Sequence, residues 1–181
     1  MASFRDFSAL KRNQSCAKVV FIQCECRPDQ YREELNWGTE IAETDPRIRG
    51  IVPWAPMKNG VGAEAEMAQL ARPSRVKGIR RIIQFRADPA FCQRPDFVRG
   101  VQPLSTFDLS FDLCINHTQF ANTLQLVRQC PHVRFTMNHI AKPNIKHHRL
   151  DPWRSQIKAL AELSNVWCKV SGLVTEADMQ H

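Results

Sequence analysis

Residues Leu109–His139, LSFDLCINHTQFANTLQLVRQCPHVRFTMNH, contain one whole strand–helix–strand unit. LSFDLCIN is short and apolar almost throughout, as expected of a strand covered on both faces of a parallel sheet. His117 to Cys130 places Phe120, Leu124, Leu126 and Val127 at helical spacing, and Pro131 ends the run. Val133–His139 is a second buried strand. Two strands joined by a helix run parallel, with the helix crossing over the sheet.

The same alternation extends in both directions. Upstream, Lys18–Glu25 (KVVFIQCE), Ile48–Met57 (IRGIVPWAPM) and Val76–Gln84 (VKGIRRIIQ) read as strands. Downstream, Asn165–Leu173 (NVWCKVSGL) is the sixth. Helical spacing lies between them, at Asp29–Thr44, Ala63–Ala71 and Trp153–Ser164. Phe4–Cys16 reads as a weaker helix feeding the first strand, and Pro-rich Ala87–Leu104 as an irregular stretch with a short helix. A doubly wound sheet should carry a Gly-rich phosphate loop after an early strand, but Cys26-Arg27-Pro28 follows the first strand here. The remaining expectation is α/β: an incomplete TIM (β/α)8 barrel of about six parallel strands with covering helices, forming one partial domain over 1–181. A closed barrel takes about 250 residues, so some two strands are lacking. An unclosed barrel exposes two edges; an alternative to an enzyme is therefore a non-catalytic binding or interaction module that pairs through them with a second copy or a partner.

Composition narrows the function classes. The chain has 181 residues, 43% of them hydrophobic and 24% charged, which suits a folded chain rather than a disordered one. Its apolar runs, such as Val19–Cys24 and Ile51–Met57, are far below the ~20 residues that cross a bilayer, and no secretory leader is apparent, so a cytoplasmic protein without membrane partners is expected. The formal charge of +7 favours polyanions, yet the densest basic group, Arg72 to Arg81, interleaves with Ile79 and carries no recognition motif. No nucleic-acid partner is expected. Seven cysteines without a CxxC pair read as reduced thiols in or near the core.

Reactive groups in such folds gather where strands end, at the carboxyl edge of the sheet. Those ends supply Gln23, Glu25, Trp54, Arg80, Gln84, Asp112, Asn116, His139, Lys169 and Ser171. Period-two alternation puts Gln23 with Glu25 on one face, and Lys169 with Ser171. His139 closes an apolar strand; a neutral imidazole there could bind a metal, take a proton or polarise a carbonyl, or be a buried histidine satisfied by a backbone carbonyl. Glu25 could be a base or a ligand, or pair with Arg27 or Arg49. Arg80 in a buried strand needs an anion, either a substrate carboxylate or Asp112. His147 and His148 read as solvated loop residues, and His117 and His132 as structural or exposed.

The order of strand ends, VKGIR at 76–80, NHIAKP at 138–143 and KVSGLVTEA at 169–177, resembles the amidohydrolase-related lactonases, the group of fuconolactonases and rhamnonolactonases, from about Lys18 to His181. The resemblance implies a hydrolase of cyclic esters on a TIM barrel, with these six strands standing for family strands 2–7. It assigns His139 the catalytic histidine and one metal ligand, and makes Arg80 and Lys142 contacts for a small-molecule lactone of a sugar acid or similar carboxylate. Glu25, Gln23 and Lys169 complete the expected substrate-binding set. Asn138 and Ala141 depart from the family's usual Asp and Gly. An HxH first strand and an SDW-type last strand have no counterpart here. The resemblance thus implies a divalent ion, zinc or manganese, in the complete protein, no metal on this chain alone, and little activity without those strands.

Overall fold

The protein is described from a computed structural model covering residues 17–57 and 62–178; the expected helix at Phe4–Cys16 lies outside these residues. All six expected strands are present: β1 Val19–Ile22, β2 Ile48–Val52, β3 Gly78–Ile82, β4 Ser110–Cys114, β5 Arg134–Met137 and β6 Val166–Cys168. Between them run α1 Tyr31–Thr44, α2 Gly62–Leu70, α3 Pro95–Val101, α4 Phe120–Gln129 and α5 Trp153–Ala161. β1 pairs parallel with β2, and β3 to β6 form a parallel sheet in chain order. The two groups meet through the parallel bridge Ile51–Val76, where Ile51 N–H donates to Arg75 O at 2.7 Å and Lys77 N–H to Ile51 O at 3.0 Å. This is the wall of a β/α barrel left unclosed.

Register explains the core. Ile79, Phe111 and Phe135 lie side by side on β3, β4 and β5. Each is fully buried on the helix-covered face. Phe97 of α3 meets Phe111 edge-on at 6.0 Å, and Phe111 meets Phe135 at 6.1 Å. Such edge-to-face pairs add about 0.5–1.5 kcal/mol each beyond area burial. The neighbouring row, Arg80, Asp112 and Thr136, must face the opposite, concave side.

Two local expectations change. β1 ends at Ile22, and Glu25 has φ +62, so strand alternation does not reach Gln23 and Glu25. Among the described cysteines, all unpaired, Cys92, Cys114 and Cys130 are buried as expected, but Cys24 and Cys168 are exposed because the short edge strands β1 and β6 end before them or at them.

Candidate active site

Asp112 decides the floor of the concave face. It is 2% exposed in the middle of an apolar strand, where an unpaired carboxylate is costly. Its partner is Lys169, whose Nζ donates to Oδ2 at 2.6 Å across the intervening strand. Lys169 reaches it because its N–H bonds Met137 O at 2.9 Å, which carries the β5–β6 ladder one residue past β6. Arg80 therefore does not take Asp112 as its counterion. Its Nη2 donates to the backbone carbonyl of Gln23, and its buried Nε has no hydrogen-bond partner.

His139 follows β5 in a left-handed conformation, φ +54. Its Nδ1 lies 2.9 Å from Ser171 Oγ, which fixes the ring plane and leaves Nε2 for a reacting atom. Burial pushes its pKa below the usual histidine value, and the positive charges of Lys142, Arg80 and Lys169 push it further down, with Glu176 opposing. The ring is therefore neutral at pH 7. Arg80 on β3, Lys142 after β5 and Lys169 after β6 are the cations near enough to act on His139, and the concave face between them is the cup of the candidate site. Lys142 approaches Glu176, with Nζ–Oε1 at 3.8 Å.

Glu25 is exposed, and its charge acts on the Cys114 thiol and the Arg81 guanidinium at the same end of the sheet. The possible pairing with Arg27 does not form, since Arg27 binds Asp29 at 2.5 Å. Gln23 is fully buried; its Oε1 accepts from Glu25 N–H at 2.5 Å, its main-chain carbonyl accepts from Arg80, and its buried Nε2 has no hydrogen-bond partner. His147 bonds locally to Asn144 at 2.8 Å, and His132 and His148 are exposed.

Asp112 is legible in the sequence as a strand-end carboxylate, but its bond to Lys169 depends on three strands lying in register. The role of Arg81 is not legible there. Arg81 is the more deeply buried of the two adjacent arginines, at 8% exposure. Its guanidinium stacks 4.3 Å from the Trp54 ring centroid, and burial lowers its pKa to about 10, so it stays charged.

Among the described residues no group of three or more His, Cys, Asp or Glu side chains converges as a metal needs. His139 stands as a single potential donor, and the residues present do not by themselves make a cradle for a divalent ion. What they do make is a neutral imidazole ringed by cations, suited to a carbonyl that gains negative charge.

Known proteins resemble this chain in sequence and in fold. L-fucono-1,5-lactonase of Burkholderia ambifaria is 31% identical over 173 residues, covering 96% of this chain and 58% of its own length. L-fucono-1,5-lactonase of Burkholderia multivorans is 31% identical over 153 residues, covering 81% of this chain and 51% of its own. A crystal structure of an amidohydrolase from Burkholderia multivorans with bound zinc superposes with a TM-score of 0.80 at 29% identity, over 90% of this chain and 56% of that one. The chain thus spans somewhat more than half the length of these relatives, as an incomplete barrel should. The amidohydrolase family model matches residues 1–181, and the chain belongs to that family.

Proposed function

We propose that this chain carries part of the active site of a lactone hydrolase acting on the cyclic ester of a sugar acid or a similar small carboxylate. The observation that carries the reading is the ring of Arg80, Lys142 and Lys169 around a neutral His139 at the carboxyl edge of the sheet. The lactonases related to this chain support the substrate class.

In this mechanism water adds to the lactone carbonyl, the C=O pair moves onto oxygen, and the ring C–O bond then breaks to give a hydroxy acid. Lys169, held by Asp112, and Arg80, with its unused Nε–H, face the developing oxyanion. His139 Nε2 is the proton acceptor or donor within the cup, steadied through Nδ1 by Ser171. Lys142 and Glu25 hold the polar groups of the substrate at the rim.

The test is acid release from a panel of aldonolactones by the chain alone and by the chain joined to the first and last β/α units of a fuconolactonase. Turnover is expected from the joined protein and little from the chain alone. His139→Ala should lower it by about 100-fold or more, the range of acid–base groups. Full turnover after that substitution would overturn the assignment.

A further inference from the structure

His139, Ile140, Ala141 and Lys142 have φ values of +54, +49, +56 and +46. None is glycine, and four such residues in succession build a left-handed turn in which every Cβ crowds the backbone. For β-branched Ile140 this is an outlier conformation. Strain of this kind persists only where surrounding contacts over-determine it, and it gathers at functional sites.

The contacts are specific. Lys142 N–H closes the turn on His139 O at 2.9 Å, and Ile140 N–H is tied to Lys169 O at 3.2 Å. The Ile140 carbonyl accepts from the Trp153 indole Nε1–H at 2.8 Å, at the first residue of α5. The Lys142 carbonyl accepts from His117 Nδ1 at 3.0 Å, in the short 3-10 turn before α4. The Ala141 methyl is fully buried. Gly172, at φ +70, leaves the space for the His139 ring; a Cβ there would lie 3.0 Å from its Cβ, Cγ and Nδ1. Two side chains from two helices thus hold the turn's carbonyls, and the turn carries His139 onto Ser171 and Lys142 toward Glu176.

We propose that Trp153 and His117 are positioning residues: through the Ile140 and Lys142 carbonyls they hold the strained left-handed turn that aims His139 and Lys142 into the cup. This rests on the lactonase reading only in treating His139 as a working group, and the test below needs no turnover.

Trp153→Phe removes one N–H and keeps most of the ring. It should speed amide exchange of Lys142 at least tenfold and move the His139 Nδ1 signal in ¹⁵N NMR toward that of an unbonded imidazole. Adding Ala141→Gly, which makes a positive φ comfortable, should restore both signals toward the parent, a rescue that lost packing would not show. If Trp153→Phe does not fold, His117→Leu is compared with His117→Asn, whose amide N–H can replace Nδ1–H. Leu should loosen the turn and Asn should preserve it. Unchanged His139 and Lys142 signals in Trp153→Phe, failure of Ala141→Gly to restore them, or identical behaviour of the two His117 variants would overturn the proposal. A protein that shows the rescue but hydrolyses no lactone would keep the clamp and lose the lactonase reading.

Discussion

The Asp112–Lys169 pair is lopsided, and the asymmetry is measurable. Asp112 is almost wholly buried, whereas the Lys169 side chain is 37% exposed. Removing the lysine strands a buried carboxylate; removing the carboxylate leaves an ammonium that can still reach water. After allowance for solvent screening on the lysine side, Lys169→Met should cost about 2–3 kcal/mol and Asp112→Asn about 1–2 kcal/mol in urea unfolding. Equal losses, or a larger loss for Asp112→Asn, would contradict this description of the pair. The thiols give a second residue-scale prediction. Burial pushes Cys92 and Cys130 up to about 11; it also raises Cys24 and Cys168, but these two are exposed to reagent. Iodoacetamide at pH 8 should modify Cys24 and Cys168 in the folded protein, and Cys92 and Cys130 only after unfolding, as read by peptide mass spectrometry. At this scale the sequence is only half legible. A histidine closing an apolar strand is conspicuous, but whether Arg80 or Lys169 takes Asp112 depends on register and reach.

Elements were easier to read because each carries its own periodicity and punctuation. Pro131 ends the helical run that becomes α4, and the short, apolar LSFDLCIN segment reads as a covered strand and forms β4. Contacts between elements leave no such local mark. Gly100 of α3 is an example: a Cβ there would lie 1.9 Å from the Met57 carbonyl oxygen, so α3 reaches the segment after β2 only because the side chain is absent. Gly→Ala inside a helix ordinarily gains up to about 1 kcal/mol. Here Gly100→Ala should instead lose about 2 kcal/mol or more, because main chain must move. A thermal scan showing Gly100→Ala equal to or above the parent would mean that α3 and the β2 loop are not in contact. The left-handed turn after β5 was similarly hidden, since Ile140 and Ala141 carry none of the glycine that normally announces positive φ.

For the molecule as a whole, the open wall sets the behaviour in solution. β1 and β6 end the strand order, and their outer edges lack strand partners among the described residues. Val20 on β1 is 52% exposed, and Trp167 and Val170 at β6 are 56% and 78% exposed. Beside β6, Ile140, Ile157, Leu160, Val166, Trp167 and Val170 border an apolar groove of about 410 Å³. An edge of this kind is a template for another chain, and a row of uncovered apolar side chains strengthens it. Opposing association is the formal charge of +7, whose repulsion acts over about 10 Å at 0.1 M salt and shorter distances above it. The two effects predict an unusual salt dependence: the isolated chain should sediment as a smaller species at low salt and associate as salt rises. Trp167→Lys with Val170→Lys adds charge and removes apolar area at the β6 edge, so the double variant should stay monomeric at salt concentrations where the parent associates. A parent chain that remains monomeric across the salt series would show that these edges do not drive association. If the double variant associates as readily as the parent, the contact lies on some surface other than β6.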